Sequence, residues 1–377
     1  MPEPGPGPVA VYGATGYTGR LVAGELRRRG VEVILCGRTA RRLKDLASQL
    51  DLRLPVRVAA VDDLDGLRHS FADCPAVINC AGPFSRFGEP VVKAAVESAT
   101  HYLDTTGEQL YMQRVFERFG DAARAAEVAV IPGMGFDYVP GDLICRLAAE
   151  GHEPLRELVV AYAVQGFGAT RGTMHSALEA MRSGALDYRH GSWRRARLLP
   201  TRASFTFPEP LGRQPMLRFP SGEIVTVPRH TRTEAVTSLI TASAFVPHPA
   251  AADMARLALP GAALALRTPL KSMIDLAIDR LPEGPSAQDR AGARFTVAAL
   301  ARGRDGTTGR GLVRGADVYG LTAATVVEGA SRLIRDGAAR AGVLSPASAF
   351  DAADFLDALR GHGVSHQVEG VAEPAPV

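Results

Sequence analysis

The chain has 377 residues, 46% hydrophobic and 22% charged, which suits a globular protein of two domains or of one domain with a large insertion. Lys plus Arg total 43 against 40 acids, a net charge of +3, so no polyanion partner and no nucleic acid is expected. Forty of those 43 bases are arginine, and Lys44, Lys93 and Lys271 leave lysine-dependent chemistry few places to occur. Along the chain, 9–12 is a short apolar run ending at Gly13, and 17–29 has helical periodicity through Leu21, Val22 and Leu26. Residues 31–36 predict a second buried strand, followed by a helix carrying Leu43, Leu46 and Leu50. Runs at 56–61, 76–80 and 128–131 repeat the theme, with 91–96 inside an intervening helix. This alternation predicts a doubly wound parallel sheet, which takes ligands where loops leave the carboxyl ends of its strands.

Beyond about residue 150 the rhythm changes. Strands are predicted at 158–164, 223–227 and 235–246, and helices at 172–181 and 269–281. A hairpin is predicted from 295–301 and 312–319 around the turn-rich 302–310. Successive strands without helices between them predict an antiparallel, α+β second domain. Helices at 322–341 and 349–359 close the chain.

Four cysteines without a C-x-x-C pair form no disulfide framework, so a cytoplasmic location is expected. Residues 1–8 lack the basic and apolar regions of a signal peptide and read as a short tail. The uncharged 235–252 contains Pro247, His248 and Pro249. The more apolar 257–266 is only ten residues long and contains Pro260, so no membrane span is expected; core or dimer packing accounts for 257–278 better than membrane-surface docking does.

The strongest motif is Gly13-Ala-Thr15-Gly16-Tyr17-Thr18-Gly19, between the first strand and the first helix. Glycine is needed there for a tight turn, for close approach of a pyrophosphate and for helix-on-strand packing. The helix N-terminus adds a positive dipole end for the phosphates. An NAD site wants an acid at the end of the second strand. Here the chain reads Gly37-Arg38-Thr39 followed by Arg41 and Arg42, with no acid in reach. A guanidinium binds a 2′-phosphate that a carboxylate would repel, so NADP is the expected cofactor, with Arg38 and Thr39 at the phosphate and Arg42 read as a solvated helix residue. Asp62, after the third strand, either approaches the adenine or caps the next helix. Asn79, Cys80, Ala81, Gly82 and Pro83 end the fourth strand, where the nicotinamide ribose belongs.

Several chemistries are excluded. Tyr-x-x-x-Lys is absent, because Ala40, Glu89 and Arg267 stand four residues before the lysines. No lysine follows a glycine as in a Walker loop, and no G-x-S-x-G elbow exists. His362 and His366 sit among glycines, which reads as a loop, so no metal is expected.

Val11 to Gly19 with Gly37-Arg38, Asn79 to Phe84 with Gly88 and Pro90, His101 to Glu108, Pro132 to Asp137 with Pro140 to Asp142, and Gly342 to Pro346 together resemble the saccharopine dehydrogenase-like family, especially its trans-acting enoyl reductases. The likeness covers about the first 145 and the last 60 residues, and is weak between. It implies a Rossmann domain (1–148), an inserted α+β substrate and dimerisation domain (149–320), and C-terminal helices (321–370) returning to the first. It also implies a homodimer and NADP-dependent reduction of a C=C or C=N bond in a small-molecule substrate. The rival expectation is a non-catalytic NADP(H) sensor, since this fold does not imply turnover.

Candidate working residues follow from loop ends. Asp104, Glu108 and Asp137 leave the fifth and sixth strands, where a carboxylate carries a proton or caps a helix. Gly172 and Thr173 open a helix whose N–H groups could hold a substrate, with capping by Thr173 as the alternative, and Phe84 is a substrate-contact candidate. His175 and His230 are imidazoles that could donate a proton or serve structure. Tyr102 and Trp193 are expected to pack.

Overall fold

In a computed structural model, residues 7–52, 55–196, 203–241, 268, 270–338 and 340–371 are described. The chain forms two compact units, 1–136 with 319–350, and 137–318 with 351–377.

The first unit opens as strand and helix in alternation: β1 (Val9–Tyr12), α1 (Tyr17–Arg28), β2 (Val33–Gly37), α2 (Ala40–Gln49), β3 (Arg57–Val58), α3 (Leu64–Phe71), β4 (Ala76–Asn79), α4 (Phe84–Glu97), β5 (His101–Asp104), α5 (Gln109–Ala125) and β6 (Ala129–Ile131). All four residues of β1 and of β4 are buried, as strands covered on both faces must be. Helix α1 buries Gly19, Val22, Ala23 and Leu26, one stripe at 3.6-residue spacing. Every pairing in this sheet is parallel. Strands β1, β2 and β3 run outward one way and β4, β5 and β6 the other. The order therefore reverses between β1 and β4, and a crevice opens at their carboxyl ends.

The second unit begins with α6 (Val139–Ala149), β7 (Leu155–Gln165), α7 (Arg171–Ser183), β8 (Leu186–Arg189), β9 (Ser192–Arg195), β10 (Ala203–Thr206) and β11 (Arg213–Arg218). It continues with α8 (Glu223–Thr226), β12 (Ala235–Thr241), α9 (Leu270–Ile278), α10 (Ala287–Gly292), β13 (Arg294–Gly303) and β14 (Thr308–Ala316). The chain then re-enters the first unit as α11 (Val318–Asp336), β15 (Gly342–Val343) and α12 (Pro346–Ala349), and β15 adds a seventh strand beside β6. It ends in the second unit with α13 (Ala352–Ala358) and β16 (Ser365–Val371). The nine-stranded second sheet runs β10-β11-β12-β7-β13-β14-β16, with β8 and β9 attached at β12. It is mixed rather than wholly antiparallel, because β12 and β7 pair in parallel.

Several expectations need correction. The run 223–227 is helical, α8 continuing into a 3-10 turn at Val227–Arg229. A short apolar run buried on all sides looks alike as strand or helix, and Pro228 has no N–H to give a ladder. The strand expected at 312–319 stops at Ala316, and Asp317 at φ 49 turns the chain into α11, which ends before Gly337 rather than at 341. The helix expected at 349–359 is present from Ala352 to Ala358, capped by Asp351, and Ala349 instead ends a separate short helix capped by Ser345.

The first boundary falls after 136, not 148, because α6 packs on β13 and β14. The expected return at 321–370 divides after 350, since α13 packs on α6 and β16 pairs with β14. Residues 242–246 of the predicted strand, the run at 257–266 and the N-terminal tail through residue 6 lie outside the described residues. Among those described, no helix is long and apolar enough to cross a membrane.

Candidate dinucleotide site

The crevice between β1 and β4 is built by backbone. Gly13 has φ +75, and a Cβ there would fall 2.8 Å from the Ala81 nitrogen, so only glycine fits. A Cβ on Gly19 would fall 2.4 Å from the Gly13 carbonyl oxygen, which explains how closely α1 seats on the turn. The Gly13 N–H donates to the Cys36 carbonyl at 3.0 Å, and the Cys80 N–H to Tyr12 at 2.8 Å, locking the turn between β2 and β4. Helix α1 starts after Gly16 with no side-chain cap and no acid in its first turn. Its positive end is therefore left for an anion. Thr15, Tyr17 and Thr18 are half-buried around it.

Arg38 and Thr39 are exposed at the end of β2, Thr39 as the N-cap residue of α2 without a side-chain cap bond. Asp62 is exposed after β3, and the helix cap is its neighbour Asp63, which accepts from Gly66 at 2.9 Å. Both Arg38 and Asp62 act electrostatically on Tyr12, whose phenol is pushed up to about 12, mainly by burial.

At the end of β4, the Asn79 side chain is held at both ends: Oδ1 accepts from the Ala81 N–H at 2.9 Å and Nδ2 donates to the Tyr102 hydroxyl at 3.0 Å. It shapes the turn, and Gly82 beyond it has exposed backbone. Burial of the Cys80 thiol pushes it up to about 12, which favours the neutral form. The chemistry of this donor set fits a dinucleotide: a glycine-lined turn, a helix N-terminus without a side-chain cap and an exposed guanidinium.

Other candidates are held by protein partners. Asp104 is fully buried, accepting from Tyr102 and Tyr111 on Oδ2 at 2.9 and 3.0 Å and from the Thr106 and Gly133 N–H groups on Oδ1 at 3.0 and 2.9 Å. Burial lifts it to about 6 against those four bonds. Glu108 caps α4, taking the Phe84 and Ser85 N–H groups at 2.7 and 2.8 Å. The Phe84 ring, 5% exposed, packs on Tyr111, which fits core rather than substrate contact.

In the second unit, α7 starts at Arg171 and its cap is Thr170, not Thr173. Thr170 Oγ1 accepts the Thr173 N–H at 3.0 Å, so that donor is already engaged, with Gly172 beside it in the first turn. Both His175 nitrogens lie 3.0 Å from carboxylates, Nδ1 at Asp275 and Nε2 at Asp279, which ties α7 to α9 and the turn after it. His230 pairs with buried Asp142 at 2.9 Å, and Trp193 donates to the Ile224 carbonyl at 2.8 Å under the Arg229 guanidinium. Asp137 differs. Its side chain reaches solvent, yet surrounding protein limits its hydration and raises its carboxyl to about 6.

Sequence reasoning missed Tyr111 and Thr106 as partners of Asp104, and the pair Tyr162–Glu223. A lone acid inside the apolar run Glu223-Ile224-Val225 was the available signal for the latter.

A parallel sheet with order reversal at a glycine turn defines a dinucleotide-binding protein of the Rossmann class. Within that class, residues 9–131 match the saccharopine dehydrogenase NADP binding domain. The chain is similar to the trans-acting enoyl reductase of Mycobacterium ulcerans, 29% identical over 190 residues, 48% of this chain and 46% of the relative. It is also similar to a lipid droplet localized protein of Caenorhabditis elegans, 30% identical over 146 residues, 36% of this chain and 34% of that one. The matched segments span about half the length of these relatives or less. Among solved structures, apo saccharopine dehydrogenase (L-Glu forming) from Saccharomyces cerevisiae covers 96% of this chain and is itself covered fully, with TM-score 0.59 and 16% identity, a likeness of fold.

Proposed function

We propose that the chain is an NADPH-dependent reductase of an activated double bond, an enoyl C=C or an imine C=N, in a biosynthetic pathway. The observation that carries the reading is Arg38, exposed at the end of β2 where an NAD site would hold an acid. The name of the mycobacterial relative favours the C=C member of the pair. Reduced nicotinamide, when bound, supplies the hydride. The chain supplies position and a proton: the turn at Gly13–Gly19, Arg38 and the backbone around Gly82 hold the dinucleotide. Asp137, accessible and raised to about 6, carries the proton. The second unit is read as the substrate and dimerisation domain, with light scattering as the check on the dimer. The free cysteines fit a reducing cytoplasm.

A non-catalytic NADP(H) sensor is favoured by one observation, that Asp104 and His175 are both held by structural partners. Titration with NADPH, NADP+ and NADH, followed by turnover assays with enoyl thioesters and cyclic imines, separates the two. Preference for NADPH with substrate-dependent oxidation supports the reductase. Preference for NADP+ without turnover supports the sensor, and binding of none removes both.

A further inference from the structure

Tyr17 directly follows Gly16 and opens α1. Its ring meets that of Tyr319 edge to face, with centroids 5.2 Å apart and planes at 74°. Tyr319 is 7% exposed and lies in the first turn of α11, far outside the matched residues 9–131. Helix α11 is itself fixed within the first unit. Thr322 Oγ1 accepts from the Phe136 N–H at 3.1 Å, the Thr325 hydroxyl donates to the Met134 carbonyl at 3.0 Å, and Glu328 takes a 2.6 Å hydrogen bond from Arg29 at the end of α1. The hydrogen bonds at Gly13 and Cys80 lock the start of the turn, but α1 begins after Gly16 without a capping side chain, so the first residue of the helix, Tyr17, takes no hold from its N-cap. A ring held against Tyr17 fixes that side chain's rotamer and, through its Cα, the direction of the first peptide groups of α1.

We propose that Tyr319 is a positioning residue of the dinucleotide site, holding Tyr17 and with it the phosphate-facing turn in the binding conformation. This rests on NADP binding by the first unit and names a residue that the turn's own sequence does not reveal. Preorganisation of this kind appears as affinity, because the ligand no longer has to order the loop.

The test is fluorescence titration of NADPH and calorimetric titration of NADP+ on the full chain, comparing wild type, Tyr319→Leu, Tyr319→Phe, Tyr17→Leu and the Tyr17→Leu/Tyr319→Leu double variant. Leucine keeps apolar volume in the core, so a folded protein is compared throughout, with its melting midpoint as the control. Tyr319→Leu is expected to weaken both ligands by the same factor, roughly 3- to 10-fold for an aromatic pair. Tyr319→Phe keeps the ring and should bind within about twofold of wild type. The double variant should bind no more weakly than Tyr17→Leu alone, since one contact is removed only once. Wild-type affinity in Tyr319→Leu, or additive losses in the double variant, would overturn the proposal, whatever the melting midpoint does. Failure of the wild type to bind either ligand would overturn the NADP assignment beneath it as well.

Discussion

Tyr162 and Glu223 face each other inside the second unit, hydroxyl against carboxyl Oε1, exposed by 4% and 0%. The same hydroxyl lies 3.0 Å from the Asp137 carbonyl oxygen. One phenol proton cannot serve two acceptors fully, but a protonated Glu223 resolves the count by donating to Tyr162 while Tyr162 donates to Asp137. Helix α6 comes so close that a Cβ on Gly141 would collide with both side chains. Burial, with the Asp142 charge adding to it, pushes Glu223 up to about 8.

That proton makes stability depend on pH. The unfolded carboxyl releases it near 4.5, whereas the folded one keeps it to about 8. Between those values unfolding releases a proton, so this group's contribution to stability falls as pH rises, by up to about 1.4 kcal/mol per pH unit. Glu223→Gln, a mimic of the neutral acid, should flatten the slope across that window. Urea denaturation at pH 5, 6, 7 and 8 on both proteins measures the difference, and parallel curves would mean that Glu223 is ionised in the fold.

Arg38 makes a prediction of preference rather than of overall binding. Charge-assisted hydrogen bonds to a 2′-phosphate are worth about 1.5–3 kcal/mol. Arg38→Asp should therefore raise the NADPH Kd by roughly 10- to 100-fold while changing NADH only slightly. Parallel titrations decide, and equal losses for both ligands would remove Arg38 from the 2′-phosphate.

Asp104 should matter for stability more than for chemistry. Its carboxylate organises β5, the loop at Gly133 and two tyrosines. An amide cannot accept on both sides, so Asp104→Asn should cost about 1–3 kcal/mol in a urea titration. Turnover per folded molecule should stay close to wild type. A large loss of turnover in a stably folded variant would return Asp104 to the reacting groups.

The first sheet was legible because strands buried on both faces are continuous apolar runs, as 9–12 and 76–78 are. The glycine turn was legible because its constraint is local: Gly13 and Gly19 are dictated by atoms a few residues away or on the next strand. Asp104 and Asp137 looked equivalent in sequence, each an acid after a strand. What separates them is the Tyr102, Tyr111 and Gly133 donors that the fold brings only to Asp104. For the same reason α8 was misread as a strand: Ile224 and Val225 are buried on every side, so no periodicity marks their conformation.

Asp137 remains as the group to which a pH profile can be attached. A proton donor must be protonated to work, and with a carboxyl raised to about 6 the acid form is lost as pH rises through that value. Turnover limited by this donor should therefore be level on the acid side and fall tenfold per pH unit above about 6. Asp137→Asn keeps the shape but has no proton to give, so the rate should drop on the order of 10²- to 10⁴-fold and the limb near 6 should vanish. NADPH affinity should be unchanged, because Arg38 and the glycine turn belong to the other unit. Rate profiles from pH 5 to 8 with one reducible substrate, taken alongside NADPH titrations, separate the outcomes. A limb that persists in Asp137→Asn would mean that the titrating acid is a different residue.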